Sequence, residues 1–258
     1  MSSILSLWPG IPPLWNPDDD RPRPTLGFYP HPSGGTRPCV VIFPGGGYHN
    51  HAPHENEPFR EFFHGLGYHA AVVLYRTQFP SKPQPLRKGP FLDAERAMHL
   101  LHENAGLWQV DPSRIAVIGF SAGAHLAATL SVHASGTARP SASILCYGVM
   151  LSGEHAHRGS METLCGSGDR EKLEEFFNLP AQVSRDTPPM FLWHTVEDSV
   201  VPVENSLVMA LALARHKIPH SLHVFPKGHH GLGLAKEVPM ASAWSRLCAE
   251  WLRDLWKI

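Results

Sequence analysis

Cysteine is scarce in this chain of 258 residues. There are four, Cys39, Cys146, Cys165 and Cys248, and no two stand in a CxxC spacing. That excludes a disulfide framework and argues against a structural zinc site, leaving buried free thiols in a reducing compartment. An excess of charge of either sign is also absent, with 22 Lys+Arg against 23 Asp+Glu and a net charge of -1. Nucleic-acid binding needs a basic face, so no nucleic-acid partner is expected. No segment approaches the ~20 consecutive apolar residues of a membrane span. The start, Met1–Gly10, lacks the basic and apolar stretches of a signal peptide. The expectation is a cytoplasmic protein with no membrane partner.

What is present is enough apolar residue for a large core, 43% hydrophobic against 17% charged. That excludes a mostly disordered chain and fits one large α/β domain over residues 1–258. The 25 prolines cluster in Pro9–Pro38 and Pro80–Pro90, which read as extended, turn-rich surface segments. No internal repeat is visible.

Short apolar runs at Cys39–Phe43, Ala70–Tyr75, Ile115–Ile118, Ser143–Tyr147, Met190–His194 and Leu222–Phe225 predict strands, Cys39–Phe43 being of the kind buried on both faces and Ala70–Tyr75 the next buried one. Helical spacing predicts helices between them. Phe59, Phe62, Phe63 and Leu66 share one face, as do Ala94, Ala97, Met98 and Leu101. Residues 122–133, 203–216 and 241–256 read as helices, and Asp111–Pro112 as a turn. Repeated strand-then-helix units predict a mostly parallel sheet covered on both faces. Residues 151–189 break the rhythm, with one helical candidate at Arg170–Phe177, and read as a cap or lid inserted over one edge of the sheet.

Ligands of such sheets bind at the carboxyl ends of the strands. After the strand at Ile115–Ile118 comes Gly119-Phe-Ser121-Ala-Gly123 and then a helix. G-x-S-x-G alone is a weak signal in a chain with 22 glycines. Between a buried strand and a helix it is the turn that presents a serine nucleophile at a helix N-terminus. After Cys39–Phe43 comes Pro44-Gly45-Gly46-Gly47-Tyr48, whose exposed N–H groups, with that of Ala122, suit the oxyanion of acyl transfer. A serine also needs a base and an orienting acid. Asp198 follows the strand Met190–His194, with Glu197 beside it as competitor. His229 and His230 follow the last strand between glycines, and residue physics does not choose between them.

The chain resembles the carboxylesterases of the α/β-hydrolase superfamily, and within them the acetylxylan and feruloyl esterase-like group near the hormone-sensitive-lipase-like branch. The segments that carry the resemblance are Pro44–Tyr48, Asp111–Ile115, Gly119–Leu126, His194–Pro202 and Gly228–Leu234. The last usually reads Gly-Gly-His-Gly-Phe-Gly-Leu, so the resemblance implies His230 as base. It also implies Asp198 as acid, and Gly46, Gly47 and Ala122 as oxyanion donors. Pro44 departs from the usual histidine before the three glycines, as in some members of the group.

The implied activity is serine ester hydrolysis of short acyl groups, acetyl on sugars or xylo-oligosaccharides among them, with a small-molecule ester as the partner. Arylformamidase, amidase or small peptidase activity at the same site, and a non-catalytic binding protein on the same fold, are the alternatives. The sequence is compatible with a homodimer. His49, His51 and His54 with Glu55 lack metal-ligand spacing and read as the pocket mouth, so no metal and no cofactor is expected. Asp93 reads as a structural helix N-cap, Tyr75–Arg76 as a strand end at the rim or in solvent, and most other histidines as surface residues.

Overall fold

A computed structural model describes residues 2–16, 21–78, 84–166 and 170–258. Strands β1 (Ser3–Ser6), β2 (Thr25–Tyr29), β3 (Arg37–Phe43), β4 (His69–Leu74), β5 (Val110–Phe120), β6 (Ala142–Cys146), β7 (Met190–Thr195) and β8 (His220–Phe225) form one sheet, in the order β1-β2-β4-β3-β5-β6-β7-β8. The six predicted runs pair in parallel. β1 and β2 add an antiparallel edge that sequence reasoning does not predict: both are short, and β2 lies in the Pro9–Pro38 segment read as extended surface. Pro17, Pro80 and Pro83 of the proline clusters lie outside the described residues.

The continuous apolar runs follow from burial on both faces. Successive side chains of a strand point to opposite sides, so each side needs its own core. Cys39, Val41 and Phe43 join Val117, Leu145 and Leu192 on one face. There they meet α2 (Gly89–Glu103), α4 (Ala122–His133) and α7 (Glu204–Arg215) through Met98, Leu126, Leu130, Met209 and Leu213. Val40, Ile42, Ile118, Ile144 and Trp193 join the other face, under α1 (Glu57–Gly65) and α8 (Ala243–Trp256). Trp193 and Trp244 stack there at 4.9 Å, and each fully buried side chain of this kind stabilises by about 2–3 kcal/mol. The four cysteines are unpaired and buried.

Three expectations need correction. Asp111–Pro112 lies inside β5, where the register against β3 shifts between Arg37 and Cys39; the Asp111 carboxylate folds back onto the Ser113 N–H and Arg114. The residues loop as a turn does, but as a bulge within a strand. Asp93 is not an N-cap, since α2 begins at Gly89. It is the buried partner of Arg76, bonded at 2.8 and 2.6 Å, and also accepts from Trp8 Nε1. Arg76 is therefore neither solvated nor at the rim. The pair ties the end of β4 to α2 and to the N-terminal segment.

Residues 151–189 carry two helices rather than one, α5 (Arg158–Cys165) and α6 (Arg170–Phe177), while the short α3 (Ala105–Trp108) leads into β5. Phe176 stacks on His133 of α4 at 3.7 Å and meets Phe91 of α2, and the Phe177 carbonyl accepts from His125. Among the described residues, no helix is long and apolar enough to cross a membrane.

Removing one partner of a buried ion pair leaves the other charge unpaired in a low-dielectric interior, at a cost of about 3–5 kcal/mol. Asp93→Ala is expected to lose that much in urea unfolding. A loss under about 1 kcal/mol would show that Arg76 finds water instead.

Candidate active site

The ends of β3, β5, β7 and β8 meet at one rim of the sheet. Ser121 occupies the turn between β5 and α4 with φ 52° and ψ -117°, a left-handed conformation unusual for a residue with a side chain. The flanking glycines are required by close approach. A Cβ on Gly119 would run into the Gly123 carbonyl, and one on Gly123 into the Phe43 carbonyl of β3. The Ser121 N–H donates to the Cys146 carbonyl of β6, which pins the turn to the sheet.

Three sequence-predicted residues come together here. Ser121 Oγ lies 2.8 Å from His230 Nε2, and His230 Nδ1 lies 2.7 Å from Asp198 Oδ2. The carboxylate accepts, so Nδ1 carries the proton and the bare Nε2 accepts from the serine hydroxyl. His229 points outward, with its Nδ1 against the His230 carbonyl, so the geometry separates two residues that composition did not. Glu197, the competing acid, instead accepts the Gly228 N–H, while Thr195 donates to the Gly228 carbonyl. These two bonds hold the start of the histidine loop.

Asp198 is buried and fully engaged. Its Oδ1 accepts the N–H groups of Val200 and Val201 at 2.9 Å. Burial acts to raise its carboxyl, but the hydrogen bonds of His194, His230 and Val201 outweigh it and hold it well below the usual carboxylate range. His194, itself buried, stands 3.3 Å from Asp198 Oδ2, and its ring is set by Ser206 and the Val201 carbonyl.

The glycine loop is equally anchored. Gly46 has φ 125°, and a Cβ there would collide with Asn50. Tyr75 donates to the Pro44 carbonyl at 2.6 Å, and Gln78 N–H to the Tyr48 carbonyl. The Tyr48 hydroxyl bonds His125 Nδ1 at 2.8 Å. The Gly45 N–H donates to Glu55, whereas those of Gly46, Gly47 and Ala122 meet no protein acceptor among the described residues.

The histidines do more than line a surface. His125 and His194 are fully buried, and His54 donates to the Gly231 carbonyl of the histidine loop at 2.9 Å. His49 bonds Thr163 of α5 at 3.1 Å. Burial pushes His157, just before α5, down, and the nearby Asp198 carboxylate opposes this. Sequence reasoning placed Glu55 only at the pocket mouth, with His49, His51 and His54, and missed Tyr147, His125 and His194 as site residues. Only the Ala124-His125-Leu126 that follows the elbow and the histidine opening His194–Asp198 offered a signal.

The fold and this rim of hydroxyl, imidazole and carboxylate define the class: the protein has the α/β-hydrolase fold. The BD-FAE family model matches residues 28–213, and the chain belongs to that family. It is 38% identical over 249 residues to endo-1,4-beta-xylanase B of Butyrivibrio fibrisolvens, covering 90% of this chain and 39% of that protein. It is 29% identical over 247 residues to acetylxylan esterase of Xylanibacter ruminicola, covering 93% and 48%. The chain thus spans under half the length of these two curated relatives. The crystal structure of an acetyl ester-xyloside bifunctional hydrolase from Caldicellulosiruptor lactoaceticus superposes with a TM-score of 0.90 at 38% identity, covering 98% of this chain and 96% of that one.

Two of the histidines also set an acid sensitivity. Burial pushes His125 down to about 4, against the opposing pull of the Phe177 carbonyl, and pushes His51 down to about 4 likewise. An unfolded histidine titrates near 6.5, so between about 6.5 and 4 the unfolded chain binds protons that the folded chain refuses. The stability due to these groups is complete above that window and lost as pH falls through it. The melting temperature should decline over this range, and His125→Gln should flatten the decline. An unchanged slope in that variant would assign the acid loss to other groups.

Proposed function

We propose that this protein is a serine carboxylesterase that removes short acyl groups, acetyl in particular, from acylated sugars such as xylo-oligosaccharides. The observation that carries the reading is the unbroken chain from Ser121 Oγ through His230 to Asp198. In the reaction Ser121 Oγ attacks the ester carbonyl carbon as its proton passes to His230 Nε2. Asp198 holds the Nδ1–H tautomer and stabilises the imidazolium that forms. The carbonyl oxygen becomes an oxyanion on the N–H groups of Gly46, Gly47 and Ala122. The availability of those donors supports this, each being worth about 3 kcal/mol in the transition state. The bond to the alcohol then breaks, and His230 returns the proton to the leaving oxygen. Water, deprotonated by the same imidazole, frees the acid from the serine.

The sugar part of the reading draws on the relatives, whose names speak of xylan, acetyl esters and xylosides. We read residues 151–189 as a fixed cap rather than a moving lid, because Phe176 and Phe177 dock on the α4 histidines. The four buried thiols suit the reducing cytoplasm.

Ser121→Ala and His230→Ala are each expected to lower kcat on p-nitrophenyl acetate by about 10⁴-fold, with His229→Ala within about threefold of wild type. Turnover that survives Ser121→Ala would refute the acyl-enzyme. On an ester series, acetyl should exceed butyryl and longer chains, and an acetylated xylo-oligosaccharide should be deacetylated. Preference for formylkynurenine or aminoacyl-nitroanilides would move the reading to an amidase.

A further inference from the structure

Glu55 is a buried carboxylate, 2% exposed, that the proposed reaction does not use. Burying it is costly unless both oxygens find donors. One oxygen accepts the Gly45 N–H at 2.7 Å and the other the Tyr147 hydroxyl at 2.7 Å. The Tyr147 hydroxyl in turn accepts the Gly233 N–H at 3.0 Å. An amide N–H can only donate, so the single phenolic proton is committed to Glu55 and the direction of the chain is set. The chain runs from the loop after β8, through the residue after β6, to the first glycine of the loop after β3.

Three further contacts show what is being held. The Tyr147 ring stands edge-to-face to the His230 ring at 5.2 Å. Tyr147 has φ 39°, and its N–H is tied to the Trp193 carbonyl, so its backbone is fixed in an unusual conformation. His54, the neighbour of Glu55, donates to the Gly231 carbonyl, one residue past His230. The pair His54–Glu55 thus reaches the histidine loop twice, at Gly231 directly and at Gly233 through Tyr147. By taking the Gly45 N–H, Glu55 also orients the peptides that follow, whose N–H groups face the substrate in the proposed reaction.

We propose that Glu55 is a positioning residue, which through Gly45 and Tyr147 locks the oxyanion loop and the His230 loop in one register. The proposal rests on the roles given above to Ser121 and His230. The carboxylate is needed because it offers two acceptors. A glutamine that accepts the Gly45 N–H turns its NH2 toward Tyr147, whose hydroxyl proton then loses its acceptor. The titratable groups around it are Tyr75, Tyr147, Cys146, His54 and His230. Burial pushes the Glu55 carboxyl up, while the Tyr147 and Gly45 hydrogen bonds pull it back.

The test compares Glu55→Gln, Tyr147→Phe and the double variant with wild type on p-nitrophenyl acetate, with melting temperatures alongside. Tyr147→Phe keeps the ring against His230 and removes only the hydroxyl, so it guards against a Glu55 variant that fails to fold. The expected result is a kcat lowered by about 10- to 100-fold in each single variant, with KM within about threefold. The double variant should be no worse than the poorer single one, because both break one chain. Wild-type kcat in the single variants, additive losses in the double, or a kcat loss that tracks a fall in melting temperature would each overturn the proposal. Fluorophosphonate labelling of wild-type Ser121 separates the two levels. A wild type that is labelled and active beside unaffected variants defeats the positioning role alone. A wild type neither labelled nor active defeats the hydrolase reading and this proposal with it.

Discussion

The peptide backbones of β3, β5 and α4 come so close at the rim of the sheet that no side chain fits at Gly119 or Gly123. That crowding sets Ser121 at φ 52°, a strain of order 1–3 kcal/mol that persists only because the surroundings over-determine it. The Cys146 carbonyl takes the Ser121 N–H, and the Ser121 carbonyl takes the His125 N–H at the start of α4. The hydroxyl is left standing over the first turn of α4, at the end of the helix where negative charge is favoured. Every other site residue is placed relative to that fixed point.

Around the elbow, several charged groups are buried and matched. Arg76 with Asp93, Glu55 with Gly45 and Tyr147, and Asp198 with His194, His230 and two amides satisfy their charges by bidentate or paired bonds. Such groups contribute little net stability compared with apolar packing, since desolvation offsets most of the attraction. What they supply is direction. Each fixes a loop at one angle, which the two apolar cores above and below the sheet do not do by themselves.

The histidines illustrate the same division. His125 joins the glycine loop to the end of α6, His194 backs the Asp198 carboxylate, and His54 reaches across to the loop of His230. A neutral imidazole has one donor and one acceptor on opposite edges of a rigid ring, so it can bridge two segments. At buried His125 a proton on Nδ1 would remove the acceptor of the Tyr48 hydroxyl.

The parallel sheet was legible in the sequence because burial on both faces writes unbroken apolar runs, and the elbow because G-x-S-x-G followed such a run. The antiparallel edge was not, since β1 and β2 carry no long run, and Asp111–Pro112 looked like a turn because a bulge uses the same residues. For the site, the types Ser, Asp and His and their chain order were readable. The choice of His230 over His229 came from a family pattern, and the structure brings His230 rather than His229 to Ser121 because neighbouring side chains leave a loop in different directions. Glu55 and Tyr147 lie 92 residues apart in the chain, and nothing local in either segment marks them as partners. Periodicity records which face of an element is buried. Which loops meet at a sheet rim, and which buried carboxylate holds them, is settled only when distant segments share one space.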